Sequence, residues 1–195
     1  MSPHLTNLIP QLRDTEKIQR LCGKTTYVGI DFGTSNTVIS ICGWDEKKAD
    51  LVLEELELDR LVGGIATPLV PTVLYLDGER LLIGQNAKSR GAMSGEKGRT
   101  YLSSFKMELG YEAGPKYHQF QLVKGSGGAL GNHVRNQVTS FLDDLLGGGQ
   151  KDELDETLKI DNPQKATEAF FRILRGFIER HCEAVFPGRN IQYSV

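Results

Sequence analysis

The segment Gly29-Ile30-Asp31-Phe32-Gly33-Thr34-Ser35-Asn36-Thr37 stands between two apolar runs, Tyr27-Val28 before it and Val38-Ile39-Ser40-Ile41 after it. The pattern predicts a strand over Tyr27–Asp31, a bend, and a second strand over Thr37–Ile41. An Asn-Gly or Asp-Gly pair is enough to reverse a strand. This bend carries a carboxylate, a glycine and several small polar residues, far more hydrogen-bonding capacity than reversal needs. Successive N–H groups at Gly33, Thr34, Ser35 and Asn36 can form an anion-binding concavity, with side-chain hydroxyls as extra donors. Gly33 removes the Cβ that would keep a phosphate from the backbone. Asp31, at the strand's end, points to Mg²⁺ or its waters, since magnesium is commonly held by one or two carboxylates plus substrate phosphates. A decorated hairpin is the plain alternative, because short Gly/Ser/Thr motifs recur without function.

Around the bend, the first residues place Leu5, Leu8, Ile9 and Leu12 at helical spacing, break at Pro10 and resume at Ile18 and Leu21, which predicts one or two short outer helices. The run Leu51–Leu58 reads as a third strand, with its glutamates leaving the period ambiguous. Pro71–Leu76, Asp77-Gly78 and Arg80–Gly84 form a strand–turn–strand signature, followed by a short helix over Gln85–Arg90 and a polar loop over 91–100. Phe120–Val123 reads as a strand. A helix from Asn132 carries Val134, Val138, Phe141, Leu142 and Leu145 on one face, and residues 147–161 read as a flexible acidic insert. The clearest helix start is Asn162-Pro163; its face is expected to be Ala166, Phe170, Ile173, Leu174, Phe177, Ile178, His181 and Val185. Ile191, Tyr193 and Val195 then alternate as in a strand, which is expected to continue in a longer natural chain.

Composition narrows the function classes. With 23 basic against 25 acidic residues the net charge is −2, so nothing in the charge balance favours nucleic acid or an anionic membrane as partner. Three separated cysteines, Cys22, Cys42 and Cys182, with no Cys-x-x-Cys pair, suit reduced thiols in a cytoplasmic protein rather than a disulfide framework. No secretory leader or membrane-length apolar run is apparent, so no membrane is expected. The four histidines show no ligand spacing. Neither a Walker loop nor a strand-borne G-x-G-x-x-G occurs; Gly125–Gly131 reads as a loop.

Residues 27–42 resemble the first phosphate-binding hairpin of the actin-like ATPase superfamily, which includes actin, sugar kinases and the DnaK-type heat-shock chaperones. Three further segments are similar to the chaperone branch: Thr67–Tyr75 (TPLVPTVLY), Ile83–Lys88 (IGQNAK) and Ser103–Gly110 (SSFKMELG), the last resembling the segment that carries that family's catalytic lysine. The matches occur in the family's order. The resemblance implies an α/β, actin-like (ribonuclease H-like) fold: the first half of lobe I, an incomplete fold, with an inserted α+β outer subdomain. Residues 1–26 are expected to form a helical extension outside the resemblance, which implies a nucleotide-binding portion over 27–195 with the outer subdomain spanning about residues 60–160. It further implies ATP or ADP and Mg²⁺ as cofactors. Asp31 would lie beside the metal and its waters, Gly33, Thr34, Ser35 and Asn36 around the β- and γ-phosphates, and Lys106 near the γ-phosphate and the attacking water.

Lys106 is followed by Met-Glu where the family has Arg-Leu, and the region after Gly110 diverges. No second Asp-x-Gly-Gly-Gly-Thr motif is present, so the 195 residues are expected to supply one wall of a cleft and to hydrolyse ATP poorly or not at all. Client proteins and co-chaperones are the partners implied for a parent protein. The alternatives are a sugar or acyl kinase of the same superfamily, an actin-like filament protein, and a degenerate nucleotide-binding module.

Overall fold

A computed structural model describes residues 15–58, 66–77, 80–94, 100–111, 114, 116–117 and 160–195. The helices expected over residues 4–12 and 132–146, the strand at 120–123, the glycine loop at 125–131 and all of the acidic insert but residues 160–161 lie outside the described residues. The chain is mixed α/β and divides into two compact units, Met1–Val70 with Phe177–Val195, and Pro71–Gly176.

The first unit is built on strand β1 (Thr25–Phe32), which starts two residues earlier than its apolar core suggests. Its alternation buries Thr26, Val28 and Ile30 and turns Tyr27, Gly29 and Asp31 to the opposite face. β2 (Asn36–Asp45) pairs antiparallel with β1, with Ile30 opposite Ile39, Asp31 opposite Val38 and Phe32 opposite Thr37. β3 (Asp50–Glu55) pairs antiparallel with β2, resolving the ambiguous run in favour of strand. The turn between them is set by Asp45, whose Oδ1 accepts from the N–H groups of Lys47 (2.9 Å) and Lys48 (3.2 Å). Ala49 completes it with φ 47°. A two-residue strand, β4 (Val70–Pro71), also pairs with β2.

Helix α1 (Thr15–Cys22) precedes β1 and belongs to this unit. It buries Ile18 but leaves Leu21 57% exposed, so only one of the two expected apolar contacts is inside. Tyr27 Oη donates to the Leu21 carbonyl (3.4 Å), tying α1 to the sheet face that Tyr27 shares with Asp31.

The second unit holds an antiparallel sheet of β5 (Val73–Asp77), β6 (Arg80–Ile83) and β7 (Tyr101–Ser103), in the order β6-β5-β7. The strand–turn–strand signature is present, with Asp77 opposite Arg80. Helix α2 (Gly84–Ser94) runs one turn beyond the expected Gln85–Arg90 and into the expected loop. Ala87 and Gly91, four apart, are both buried, so one packed face carries the extra turn. A short 3₁₀ turn, Phe105–Glu108, follows β7.

Helix α3 (Pro163–Val185) begins where Asn162 predicts: the Lys165 N–H donates to Asn162 Oδ1 at 2.8 Å. Its buried row is Ala166, Ala169, Phe170, Leu174, Ile178 and Cys182. Ile173, Phe177 and His181 are half-buried. Val185, expected on this face, is 38% exposed. The next residue, Phe186, takes its place: the ring lies so close to Gly43 of β2 that a Cβ there would sit 2.8 Å from it. β8 (Asn190–Ser194) then joins β1 in parallel, giving the strand order β3-β2-β1-β8 from both ends of the chain.

Candidate functional site

The bend between β1 and β2 is short because the register is unbroken up to Phe32 and Thr37. Four residues, Gly33 to Asn36, make the reversal. A Cβ on Gly33 would stand 2.2 Å from the Asn36 carbonyl oxygen, a separation no side chain tolerates. The glycine is therefore required by closure of the turn itself, whether or not a ligand approaches it. This adds a purely local reason for a residue that the sequence assigns to phosphate contact.

The structure brings Asp31, Gly33, Thr34, Ser35 and Asn36 together on this one hairpin. Asp31, Ser35 and Asn36 are exposed, and Gly33 and Thr34 are half-buried. Asp31 leaves the sheet on the face opposite Val28 and Ile30, beside Gly29 on its own strand and Val38 across from it. Because Gly29 has no side chain, and Ser40 opposite it has a small one, the strip next to the Asp31 carboxylate is low. Such a bend can take an anion at its N–H groups and a hydrated cation at the carboxylate.

Among the described residues no three His, Cys, Asp or Glu side chains gather to hold a metal by themselves. Magnesium held by one carboxylate and a ligand's phosphates needs no such group. The exposed Asp31 carboxylate fits that mode.

Lys106 stands on an element of the second unit. It is half-buried on the 3₁₀ turn, between the fully buried Phe105 and the 66% exposed Met107. The Phe105 ring lies 5.9 Å from that of Phe170 on α3, anchoring the turn to the apolar core of its unit. Ser104, which opens the turn, adopts φ 60°, ψ 15° and makes no side-chain cap. Glu108 accepts from Lys116 Nζ at Oε1 (2.6 Å) and from Tyr117 Oη at Oε2 (2.7 Å). Burial pushes the Glu108 carboxyl up, but the hydrogen bonds from Lys116 and Tyr117 and the Lys116 charge outweigh it and hold the group below its ordinary value. Tyr117 is raised by burial first and by Glu108 second, so its phenol keeps its proton.

Lys116 and Tyr117 went unrecognised in the sequence. They lie in the region after Gly110 that departs from the family pattern, eight and nine residues beyond Glu108, a spacing with no secondary-structure period.

Other reactive groups are quiet. Burial and then the nearby Cys22 push the Cys42 thiol up to about 11. Burial, Glu179 and Glu54 do the same for Cys182. Neither is a thiolate nucleophile at neutral pH. All three cysteines are free. His181 is half-buried, with Nε2 3.2 Å from Glu54 Oε2 between α3 and β3.

No protein-family model matches the chain, and no curated protein matches it.

Proposed function

We propose that the chain is a nucleotide-binding portion of a DnaK-like, actin-fold ATPase and that it binds Mg·ATP and Mg·ADP through the β1–β2 bend. The observation that carries the reading is the position of that bend. It caps β1, the strand joined on one side by β2 and on the other by β8 from the opposite end of the chain. The separate compact unit Pro71–Gly176 supports the reading, since the resemblance implies an inserted subdomain, expected over about residues 60–160.

In this reading the N–H groups of Gly33, Thr34, Ser35 and Asn36 receive phosphate oxygens. Asp31 orients the waters of Mg²⁺, and the metal, when bound, neutralises phosphate charge. Lys106 contributes an ammonium toward the γ-phosphate, where a cation stabilises charge on the transferring phosphoryl group. A full ATPase of this kind couples nucleotide state to lobe rotation. Clients and co-chaperones would be partners of such a protein in the cytoplasm.

Equilibrium dialysis of the 195-residue chain against Mg·ATP tests the reading. Saturable binding that weakens on chelating Mg²⁺, and that loses its Mg²⁺ dependence in Asp31→Asn, is expected. Absence of saturable binding at millimolar nucleotide would refute it. A second reading, a hairpin with no ligand, is favoured by the steric need for Gly33 in the turn itself, and that negative result would select it.

A further inference from the structure

We propose that Glu108, Lys116 and Tyr117 form a clamp that fixes the turn bearing Lys106, with Glu108 and Tyr117 as positioning residues for that lysine; the inference rests on the role given to Lys106 above. A 3₁₀ turn of four residues has little rigidity of its own. At its edges the Met107 N–H donates to the Ser104 carbonyl (3.1 Å) and the Leu109 N–H to the Lys106 carbonyl (3.3 Å). It also opens on a non-glycine residue in the left-handed region, Ser104. Such a conformation persists only where its surroundings over-determine it.

The surroundings act at three points. Before the turn, the Ser103 carbonyl accepts from Lys116 Nζ at 3.1 Å. At its end, the same ammonium donates to Glu108 Oε1. One cation thus ties both ends of the segment that carries Lys106. The second Glu108 oxygen is taken by the hydroxyl of Tyr117, a residue with no solvent exposure, and Lys116 also lies 5.2 Å from the centre of the Tyr117 ring. In the middle, Phe105 is locked in the core against Phe170. Glu108 and Lys116 pair with each other in this clamp. What it supplies is a fixed base for a long, flexible side chain, which is where positioning adds most to an interaction with a phosphoryl group.

The test compares dissociation constants for Mg·ATP and Mg·ADP in the whole chain, with amide hydrogen exchange at Met107 and Leu109 alongside. Lys106→Ala is expected to abolish the preference for ATP over ADP. Glu108→Gln and Tyr117→Phe are expected to lower that preference about fivefold, the worth of one ordinary hydrogen bond. They leave Mg·ADP affinity unchanged and speed exchange at both amides. Combining Glu108→Gln with Lys106→Ala should cost no more preference than Lys106→Ala alone, since both act through one ammonium. Tyr117→Phe keeps the buried ring and removes only its hydroxyl, so it reports even where Glu108→Gln unfolds. Full ATP preference in Glu108→Gln and Tyr117→Phe, with Lys106→Ala still losing it, would overturn the positioning role alone. No ATP preference in the wild type, or none lost in Lys106→Ala, would remove the role of Lys106 and this inference with it.

Discussion

The β1–β2 bend and the Lys106 turn are both short, polar and glycine- or serine-led, yet they are held by different means. The bend is held by backbone. Six register pairs run from Tyr27–Cys42 to Phe32–Thr37, and one missing Cβ lets the loop close. Ser35 and Asn36 are exposed, and Thr34 is half-buried. The Lys106 turn is held by side chains: Phe105 against Phe170, Lys116 across two carbonyl and carboxylate partners, and Tyr117 on Glu108. A backbone-held loop tolerates changes at Thr34, Ser35 and Asn36 without losing its shape. A side-chain-held turn is sensitive at residues far from the lysine it presents.

The largest expected effect lies in the second region. Phe170→Ala removes a fully buried ring and its partner contact, and should cost about 3–5 kcal/mol of stability. Hydrogen exchange at Met107 and Leu109 should rise with it, while the β1–β2 amides keep their protection. Equal loss of protection in both regions would collapse the distinction.

Gly33→Ala is the matching probe of the first region. The new methyl group meets the Asn36 carbonyl, so the turn must open, at about 1–3 kcal/mol. Denaturant unfolding measures the cost, and faster exchange is expected at Phe32 and Thr37 rather than at Met107. Ser104→Gly should act in the opposite sense, gaining up to about 1 kcal/mol by relieving the left-handed backbone. A thermal melt showing a lower midpoint would mean that Ser104 is not strained.

The smallest expected effect is in pH. Glu108 is held below its ordinary value of 4.5, so its contribution is complete above that pH. It is lost as pH falls through the depressed value in the folded chain. The carboxylate is 35% exposed, so solvent screening keeps the contribution below about 1 kcal/mol. Wild type should lose this increment on acidification and Glu108→Gln should not, as read from paired denaturation curves between pH 3 and 6.

The same contrast explains what could be read from the chain. Backbone-held features carry local signals. Alternation located β1 and β2, Asp77 and Arg80 bracketed a hairpin, and Asn162-Pro163 opened α3. Boundaries slipped where tertiary packing decides. α2 gained a turn because Gly91 is buried, and Phe186 displaced Val185 from the face of α3 by lying against Gly43. Of the candidate site, Asp31 and Gly33–Asn36 are contiguous and legible as a motif, but the steric demand on Gly33 depends on where the Asn36 carbonyl points. The clamp on Lys106 was not legible at all. Glu108 meets Lys116 and Tyr117 through a fold back of the chain that no periodicity announces.

In the proposed function, the β1–β2 bend binds the phosphates of a nucleotide. The direct measurement is a titration of the ¹⁵N-labelled 195-residue chain with Mg·ATP, following backbone amide resonances. Saturable shifts are expected at Gly33, Thr34, Ser35 and Asn36, reduced when Mg²⁺ is chelated. Unmoved resonances at these four residues under millimolar Mg·ATP would contradict it and leave the bend as a turn that closes tightly and holds nothing.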